Sequence, residues 1–234
     1  MSKITIVIPT YNEKNNIEKI ISQIFELKNP DINILVVDDN SPDGTGQVVE
    51  NIKSQNNKVD IVHRTTKAGL GQAYVAGFRK ALEDQADLIF EMDADLSHDP
   101  KHVPEMLLAI KDNDLVLGSR YVKGGGIKNW NFLRRQISRF GNIYARMILA
   151  LPYKDLTGGF KCYRRRVLET LNLSELNSLG YNFQIETTYK AHLAGFKIKE
   201  VPIVFTERVE GKSKFNLKIM LEGFLKVLTL RFKK

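Results

Sequence analysis

The chain opens with an apolar run, KITIVIP (3–9), that breaks into the polar stretch TYNE. Ile17, Ile20, Ile21, Ile24 and Phe25 then recur at helical spacing, and a second apolar run, INILVVD (32–38), follows. The alternation continues. GTGQVVENI starts a helix, VDIVH (59–63) reads as a third strand, and GLGQAYVAGFRKALE (69–83) as a helix rich in small residues. DLIFEMD (87–93) is a fourth strand, PKHVPEMLLAIK (100–111) a helix and DLVLGSR (114–120) a fifth strand. Short, uninterrupted apolar runs separated by helical repeats predict strands covered on both faces, hence an α/β domain with a mostly parallel sheet. Such sheets bind ligands beyond the carboxyl ends of their strands. The polar clusters PTYNE, DDNSPDGT, DADLSH and GSRY fall at four of those ends. Any one of them is compatible with turn chemistry alone. Four at one edge point to a binding site.

The second half is less regular. KGGGIKN (123–129), with three consecutive glycines, is expected to be a mobile loop. NWNFLRRQISRFGNIYARMILALP (129–152) predicts a helix in which Phe132, Leu133, Ile137, Phe140 and Met147 are interleaved with Arg134, Arg135, Arg139 and Arg146. That mixture suits a core helix with a charged outer face or a membrane interface. The closing stretch KFNLKIMLEGFLKVLTLRFKK repeats the theme, with Lys218, Glu222 and Lys226 as its polar stripe. So broad an apolar surface calls for a partner. Residues 1–214 are expected to form one domain, with halves 1–119 and 120–214, and residues 215–234 a C-terminal amphipathic helix.

Charge sharpens the division. The net charge is +8, but residues 1–119 hold 12 Lys+Arg against 19 Asp+Glu, and residues 120–234 hold 23 against 8. A basic half suggests an anionic partner such as nucleic acid, a membrane surface or phosphates. The single cysteine, Cys162, excludes a disulfide framework and a cysteine metal cluster. The first apolar run is too short for a secretory signal, and no segment approaches the roughly 18 uncharged apolar residues of a membrane span.

Asp93 and Asp95 lie two apart at a strand end, so an extended backbone puts both carboxylates on one face. Like charges so close require a counter-cation or a raised pKa. Mg2+ or Mn2+ favours carboxylate oxygens and keeps substrate phosphates among its ligands. No phosphate-binding G-x-x-x-x-G-K-[ST] loop and no G-x-G-x-x-G follow a strand. His98 and His102 are four apart, but Pro100 stands between them, and both read as turn or surface residues.

PTYNE, VVDDNSPDGT, GLG, MDADLSHDP, GSRYVKGGG, DLTGGFKCYRR, GYNFQIE and ERVEGKSK occur in that order over residues 3–215. Together they closely resemble the dolichol-phosphate (polyprenol-phosphate) mannosyltransferases of glycosyltransferase family 2. The resemblance implies a GT-A fold and metal-dependent, inverting transfer of mannose from GDP-mannose to a polyprenyl or dolichyl phosphate. It assigns donor binding to Pro9, Tyr11, Glu13, Val37, Asp39, Asp93, Ala94, Asp95, Arg208 and Lys214. It assigns catalysis to Asp93, Asp95 and Arg208, and the acceptor phosphate to Arg120, Arg134 and Ser138. The Mg2+ or Mn2+ ligands would be Asp95 and Ser97, the latter standing where relatives often carry Gln. Arg134 and Ser138 are i, i+4, so one helical face would present both.

A lipid phosphate monoester is mostly ionised at neutral pH, its second pKa being about 6, so it needs orientation rather than a general base. The implied place of work is the cytoplasmic face of a membrane, held peripherally by the amphipathic helices or by a separate anchoring protein, with no nucleic acid as partner. Two other readings remain open: a UDP-glucose or other UDP-sugar donor on the same lipid, and a non-catalytic basic scaffold.

Overall fold

The computed structural model describes residues 2–176, 178, 180–207 and 217–232. Its strands are β1 (Ile4–Thr10), β2 (Ile32–Asp38), β3 (Val59–His63), β4 (Leu88–Glu91), β5 (Leu115–Ser119), β6 (Gly126–Lys128), β7 (Lys161–Arg164), β8 (Ile198–Pro202) and β9 (Val204–Thr206). Its helices are α1 (Lys14–Phe25), α2 (Thr45–Gln55), α3 (Leu70–Glu83), α4 (Val103–Ala109), α5 (Phe132–Leu149), α6 (Arg165–Thr170), α7 (Tyr181–Leu193) and α8 (Leu217–Phe232). The main sheet runs β3-β2-β1-β4-β7-β5-β8, and β6 pairs with β9 in a small parallel sheet. Only β7 runs against its neighbours β4 and β5, so every other strand of the main sheet ends at the same edge.

The expected mostly parallel sheet is therefore present, and burial explains its legibility. All seven residues of β1 are buried. Ile4, Ile6 and Ile8 pack with Ile17, Ile20 and Ile24 of α1 on one face. Val7, with Leu35 and Val37 of β2, packs with Tyr74 and Phe78 of α3 on the other. A third apolar cluster joins α5, α7 and α8 through Ala145, Leu149, Ile185, Tyr189 and Val227. No helix among the described residues is long and apolar enough to cross a membrane.

Three expectations change. The glycine run at 124–126 is a tied connection rather than a free loop. Gly126 N–H donates to Ile203 O at 3.0 Å, and a Cβ on Gly125 would stand 2.5 Å from Ser119 O. Close backbone approach at Gly125 and a positive φ of 93° at Gly124, more than mobility, are what glycine permits here. The long helix begins at Phe132 because Asn131 caps it, its side chain accepting the Arg134 N–H at 2.9 Å. The helix expected over 100–111 divides into a 3-10 turn, the short α4 and a second 3-10 turn.

Strand β7 was not apparent in the sequence because it buries a lysine. Lys161 pairs in register with Glu91 of β4, and both are fully buried. Lys161 Nζ donates to Gln184 O at 2.7 Å and Thr187 Oγ1 at 2.9 Å, and the Tyr163 hydroxyl donates to Glu91 Oε1 at 3.0 Å. Burial pushes the Glu91 carboxyl up to about 7 against the pull of Lys161, and drives Lys161 down to about 8 against the pull of Glu91.

Two predictions follow from this packing. A Cβ on Gly77 of α3 would lie 2.3 Å from Val7 Cγ1, so Gly77→Ala should lower unfolding free energy by about 1–3 kcal/mol. A denaturant midpoint equal to wild type would contradict that contact. Glu91 holds its proton to about 7, whereas the unfolded chain releases it near 4.5. Between those values the folded state binds more protons, so this group's contribution to stability falls as pH rises. Glu91→Gln removes the titration, and its Tm relative to wild type should be more favourable at about pH 8 than at about pH 5. A pH-independent Tm difference would refute the raised pKa.

Candidate active site

Strands β1, β2 and β4 end side by side, and the loops after β1 and β2 are laced together. Thr10 at the end of β1 is register partner to Asp38 at the end of β2. The two loops share three contacts from main-chain N–H groups: Asn12 to Ser41 Oγ at 3.0 Å, Glu13 to Thr45 Oγ1 at 3.0 Å and Lys14 to Asp43 Oδ2 at 3.1 Å. Asn12 and Asn40 take positive φ, a conformation Asn tolerates.

The two aspartates of VVDDN divide their work. Asp38 is structural: Oδ1 accepts the Thr10 and Ser41 hydroxyls at 2.8 and 2.6 Å, and Oδ2 accepts the Ser41 N–H at 2.9 Å. Asp39 forms an ion pair with Arg64 at 2.5 Å. Burial raises the Asp39 pKa, with Arg64 opposing the rise. The Val37 side chain is buried in the core, and Pro9 is likewise buried within β1. Tyr11 is partly exposed, with the Lys67 ammonium 3.2 Å from its ring centre. Glu13 Oε2 accepts from the Asn16 amide at 2.8 Å.

The DADLSH segment turns at the end of β4. Asp93 Oδ1 accepts the Tyr74 hydroxyl at 2.9 Å, and Asp93 N–H donates to His98 Nδ1 at 3.0 Å. His98 is thus no surface residue. It is 2% exposed, stacks on Phe160 at 5.1 Å and supports the aspartate backbone. Because Nδ1 accepts that N–H, its 4.0 Å approach to Asp93 Oδ2 is not an ion pair through this nitrogen. His102 acts similarly: its Nε2 accepts the Val204 N–H at 3.2 Å, and burial lowers its pKa toward that neutral role.

Ala94 is buried, and Asp95 Oδ1 accepts the Ser97 N–H at 3.1 Å. Leu96 between them sits at φ 62°, a strained conformation for a leucine. Ser97 is 1% exposed, and its Oγ has no hydrogen-bond partner among the described residues. Among the described residues no group of three or more His, Cys, Asp or Glu side chains able to hold a metal gathers there. The orphaned buried Ser97 hydroxyl, in the same turn as the carboxylates, fits a hard divalent cation that keeps phosphate oxygens in its shell.

Two further segments close on this turn. A Cβ on Gly159, from DLTGGF, would lie 3.3 Å from Gln184 Nε2 and 3.8 Å from Asp93 Oδ2. Thr206 N–H donates to Ser97 O at 3.3 Å, so β9 passes directly beside the DADLSH turn. Arg208 and Lys214, which follow β9, lie outside the described residues.

The expected acceptor residues gather where α5 meets the segment after β5, and β5 lies two strands from β4 in the main sheet. Arg134 and Ser138 share one helical face as expected. Arg134 pairs with Glu207 at 2.5 Å and stacks on Trp130, and Ser138 Oγ accepts the Tyr121 hydroxyl at 2.8 Å. Arg120 carries structural bonds of its own. Its guanidinium donates to both Asp155 oxygens at 2.7 Å and to Thr157 Oγ1 at 2.8 Å, a buried anchor of its own. Burial disfavours that charge, but Asp155 holds the Arg120 pKa above an arginine's ordinary value.

Sequence reasoning missed Tyr74, Lys67 and Asp155 as supports. Asp155 and Gln184 lay within motifs already singled out, whereas Tyr74 reaches Asp93 only through tertiary packing.

The sequence model of Glycosyl transferase family 2 matches residues 5–171. The chain is 44% identical over 224 residues to polyprenol monophosphomannose synthase of Mycolicibacterium smegmatis, spanning 95% of this chain and 84% of the relative. It is 42% identical to undecaprenyl-phosphate mannosyltransferase of Micrococcus luteus, spanning 96% and 92% respectively. A mannosyltransferase from Pyrobaculum calidifontis, solved with GDP-Man and Mn2+, shares the fold with a TM-score of 0.64 at 17% identity, covering 97% of this chain and 69% of that one. With its GT-A-like sheet, its laced strand-end loops and its Asp93–Asp95 turn, the chain belongs to glycosyl transferase family 2.

Proposed function

We propose that this protein transfers mannose from GDP-mannose to a polyprenyl phosphate, giving a β-linked polyprenyl phosphomannose. One juxtaposition carries the reading: β9 and the residue after it tie the carboxylate turn with its orphaned Ser97 hydroxyl, through Thr206 N–H to Ser97 O, to the α5 face bearing Arg134 and Ser138, through Glu207 to Arg134. The names borne by relatives above 40% identity over nearly the whole chain support it.

In this reading residues 1–119 hold the nucleotide sugar and residues 120–214 the acceptor, with residues 215–234 forming an attached helix. Asp39 and Glu13 face the nucleoside, and Tyr11 offers a ring surface to it. Asp95 and Ser97 hold Mg2+ or Mn2+, which when bound neutralises charge on the departing diphosphate. Asp93 faces the donor, oriented by the Tyr74 hydroxyl and by His98 beneath its main chain. Arg208 and Lys214 contribute further positive charge to the diphosphate. Arg134 and Ser138 orient the acceptor phosphate so that one of its oxygens attacks the anomeric carbon opposite the leaving GDP. The new bond forms as the sugar–diphosphate bond breaks, inverting the configuration. The nucleophile is already anionic, so no side chain need remove a proton. The basic half and the exposed apolar residues of α5 hold the protein peripherally at the cytoplasmic face of a membrane.

Incubation with a divalent metal, polyprenyl phosphate and either GDP-mannose or UDP-glucose should yield lipid-linked sugar from GDP-mannose. Product from UDP-glucose alone would replace the donor, and no product from folded protein would favour a scaffold. Asp95→Ala should lower kcat by about a hundredfold or more without loss of folding, since it removes charge stabilisation at the leaving group. Near-normal turnover would remove Asp95 from the metal site. Arg134→Ala should raise KM for the lipid phosphate by about tenfold or more, the worth of a charge-assisted contact, with KM for GDP-mannose unchanged. Equal changes in both constants would dissociate Arg134 from the acceptor.

A further inference from the structure

A cavity of about 430 Å3 opens on the side of α5 away from Arg134, between that helix and the segment following β5. Arg120, Tyr121, Arg139, Asn142, Arg146 and Lys154 line it, and no acidic side chain does. Arg120 is already neutralised by Asp155 behind it. Arg139, Arg146 and Lys154 have no acidic partner within ion-pair distance among the described residues. Arg146 Nε is buried without a hydrogen-bond partner. Asn142, by contrast, is fully engaged, donating to Ser138 O and Thr157 Oγ1 and accepting the Leu156 and Thr157 N–H groups. The cavity therefore concentrates uncompensated positive charge and an unused N–H donor over a rigid floor.

The same helix carries the clue to the ligand. Leu133, Phe140 and Met147, spaced at seven residues, are 67, 60 and 75% exposed. They form one apolar stripe, and Arg139 and Arg146 lie about 100–120° around the helix from it. A helix resting its apolar stripe in acyl chains would carry those cations at headgroup depth. We infer that this cavity binds the phosphate of an anionic membrane lipid other than the acceptor, fixing how the enzyme sits on the bilayer. The inference rests on the membrane placement proposed above. Tyr121 separates this cavity from the acceptor face: its ring lines the cavity while its hydroxyl reaches Ser138.

The test is flotation of the full chain with vesicles of phosphatidylcholine, alone or with about 30 mol% phosphatidylglycerol, an anionic surface that attracts cations. The triple variant Arg139→Gln/Arg146→Gln/Lys154→Gln should bind the anionic vesicles about a hundredfold more weakly, about fivefold per cation. A charge-matched control, Lys28→Gln/Lys111→Gln/Lys197→Gln, removes exposed cations that precede β2, β5 and β8 at the opposite end of the sheet. It should change binding by less than about threefold, because those charges lie beyond the screening length.

Equal weakening by both triple variants would reduce the cavity to diffuse charge and overturn the inference. So would unaltered binding by the first. Glycerol phosphate binding the cavity as tightly in calorimetry as the vesicles do would assign it to a soluble phosphate ester instead. Turnover of a detergent-dispersed short polyprenyl phosphate should be the same in the first variant and wild type. A matching loss there would make the cavity part of the acceptor site and also overturn the inference. Wild-type turnover without vesicle binding would sink the headgroup site while leaving the transferase reading intact, so the two failures are separable.

Discussion

Arg120 and Asp155 are both buried, and either would be costly to leave alone. Together they satisfy each other: the Arg120 main-chain N–H, Nε and Nη2 all reach the Asp155 carboxylate. Tyr121, Trp130 and Phe205 stand 5.4, 5.7 and 5.5 Å from the guanidinium and exclude water from it. From this pair the ties run outward. Thr157 accepts from Arg120 and from Asn142, and Asn142 in turn holds Leu156 and Thr157 to the middle of α5. Glu200 of β8 accepts the N–H of Lys154 and of Asp155 at 2.9 Å. The end of β5, the loop before β7, the edge strand β8 and α5 are thus fixed to one buried charge pair. Loss of one partner from such a pair costs about 3–5 kcal/mol, because the other is stranded in a dry site. An arginine placed by resemblance on the acceptor phosphate is therefore also the joint that positions α5.

The acidic half, residues 1–119, uses a different device. Its loops are held by short side chains accepting main-chain N–H groups, with Ser41, Asp43 and Thr45 of one loop reading the backbone of the other. Asp38 is held within the same lacing by the Ser41 hydroxyl, and Asp39, one residue on, pairs with Arg64 instead. The same separation recurs at DADLSH. His98 and Tyr74 spend their polar atoms on Asp93, and the turn itself satisfies one oxygen of Asp95. Adjacent acidic residues can coexist at this edge because each is given a separate set of partners, which lowers the cost of their mutual repulsion.

What the sequence disclosed follows from these physics. A parallel strand covered on both faces reads as an uninterrupted apolar run, so β1, β2, β4 and β5 were legible, and their order placed the polar clusters at one edge. KCYR was not legible, because Lys161 is buried against Glu91 and an interior lysine contradicts every hydropathy pattern. The histidines were misread for a related reason. His98 and His102 look like turn residues until tertiary contacts assign each an N–H to accept, and those partners are 5 and 102 residues distant. The glycines at 124–126 carry no local mark that distinguishes freedom from close approach. Only the folding of Gly125 back onto Ser119 and Arg120 at the end of β5 makes the second necessary.

Helix α5 brings these threads together because its circumference is partitioned. One face carries Arg134 and Ser138, the proposed acceptor contacts, in its first turns and Ala145 and Leu149, packed in the third apolar cluster, further along; Arg139 and Arg146 turn to the cationic cavity, and Leu133, Phe140 and Met147 form an exposed stripe whose Phe140 also touches Phe224 of α8. A helix offers no independent adjustment of its faces, since rotating one into contact rotates all of them. The Asn142 ties and the Arg120–Asp155 pair fix that rotation from the protein side. If the apolar stripe and the cavity fix it from the membrane side, the acceptor face has one orientation relative to both the bilayer and the Asp93–Asp95 turn. A lipid phosphate, whose long chain confines it to the bilayer, would then meet the donor without a search through orientations, and that restriction is worth rate because alignment is settled before the reaction begins.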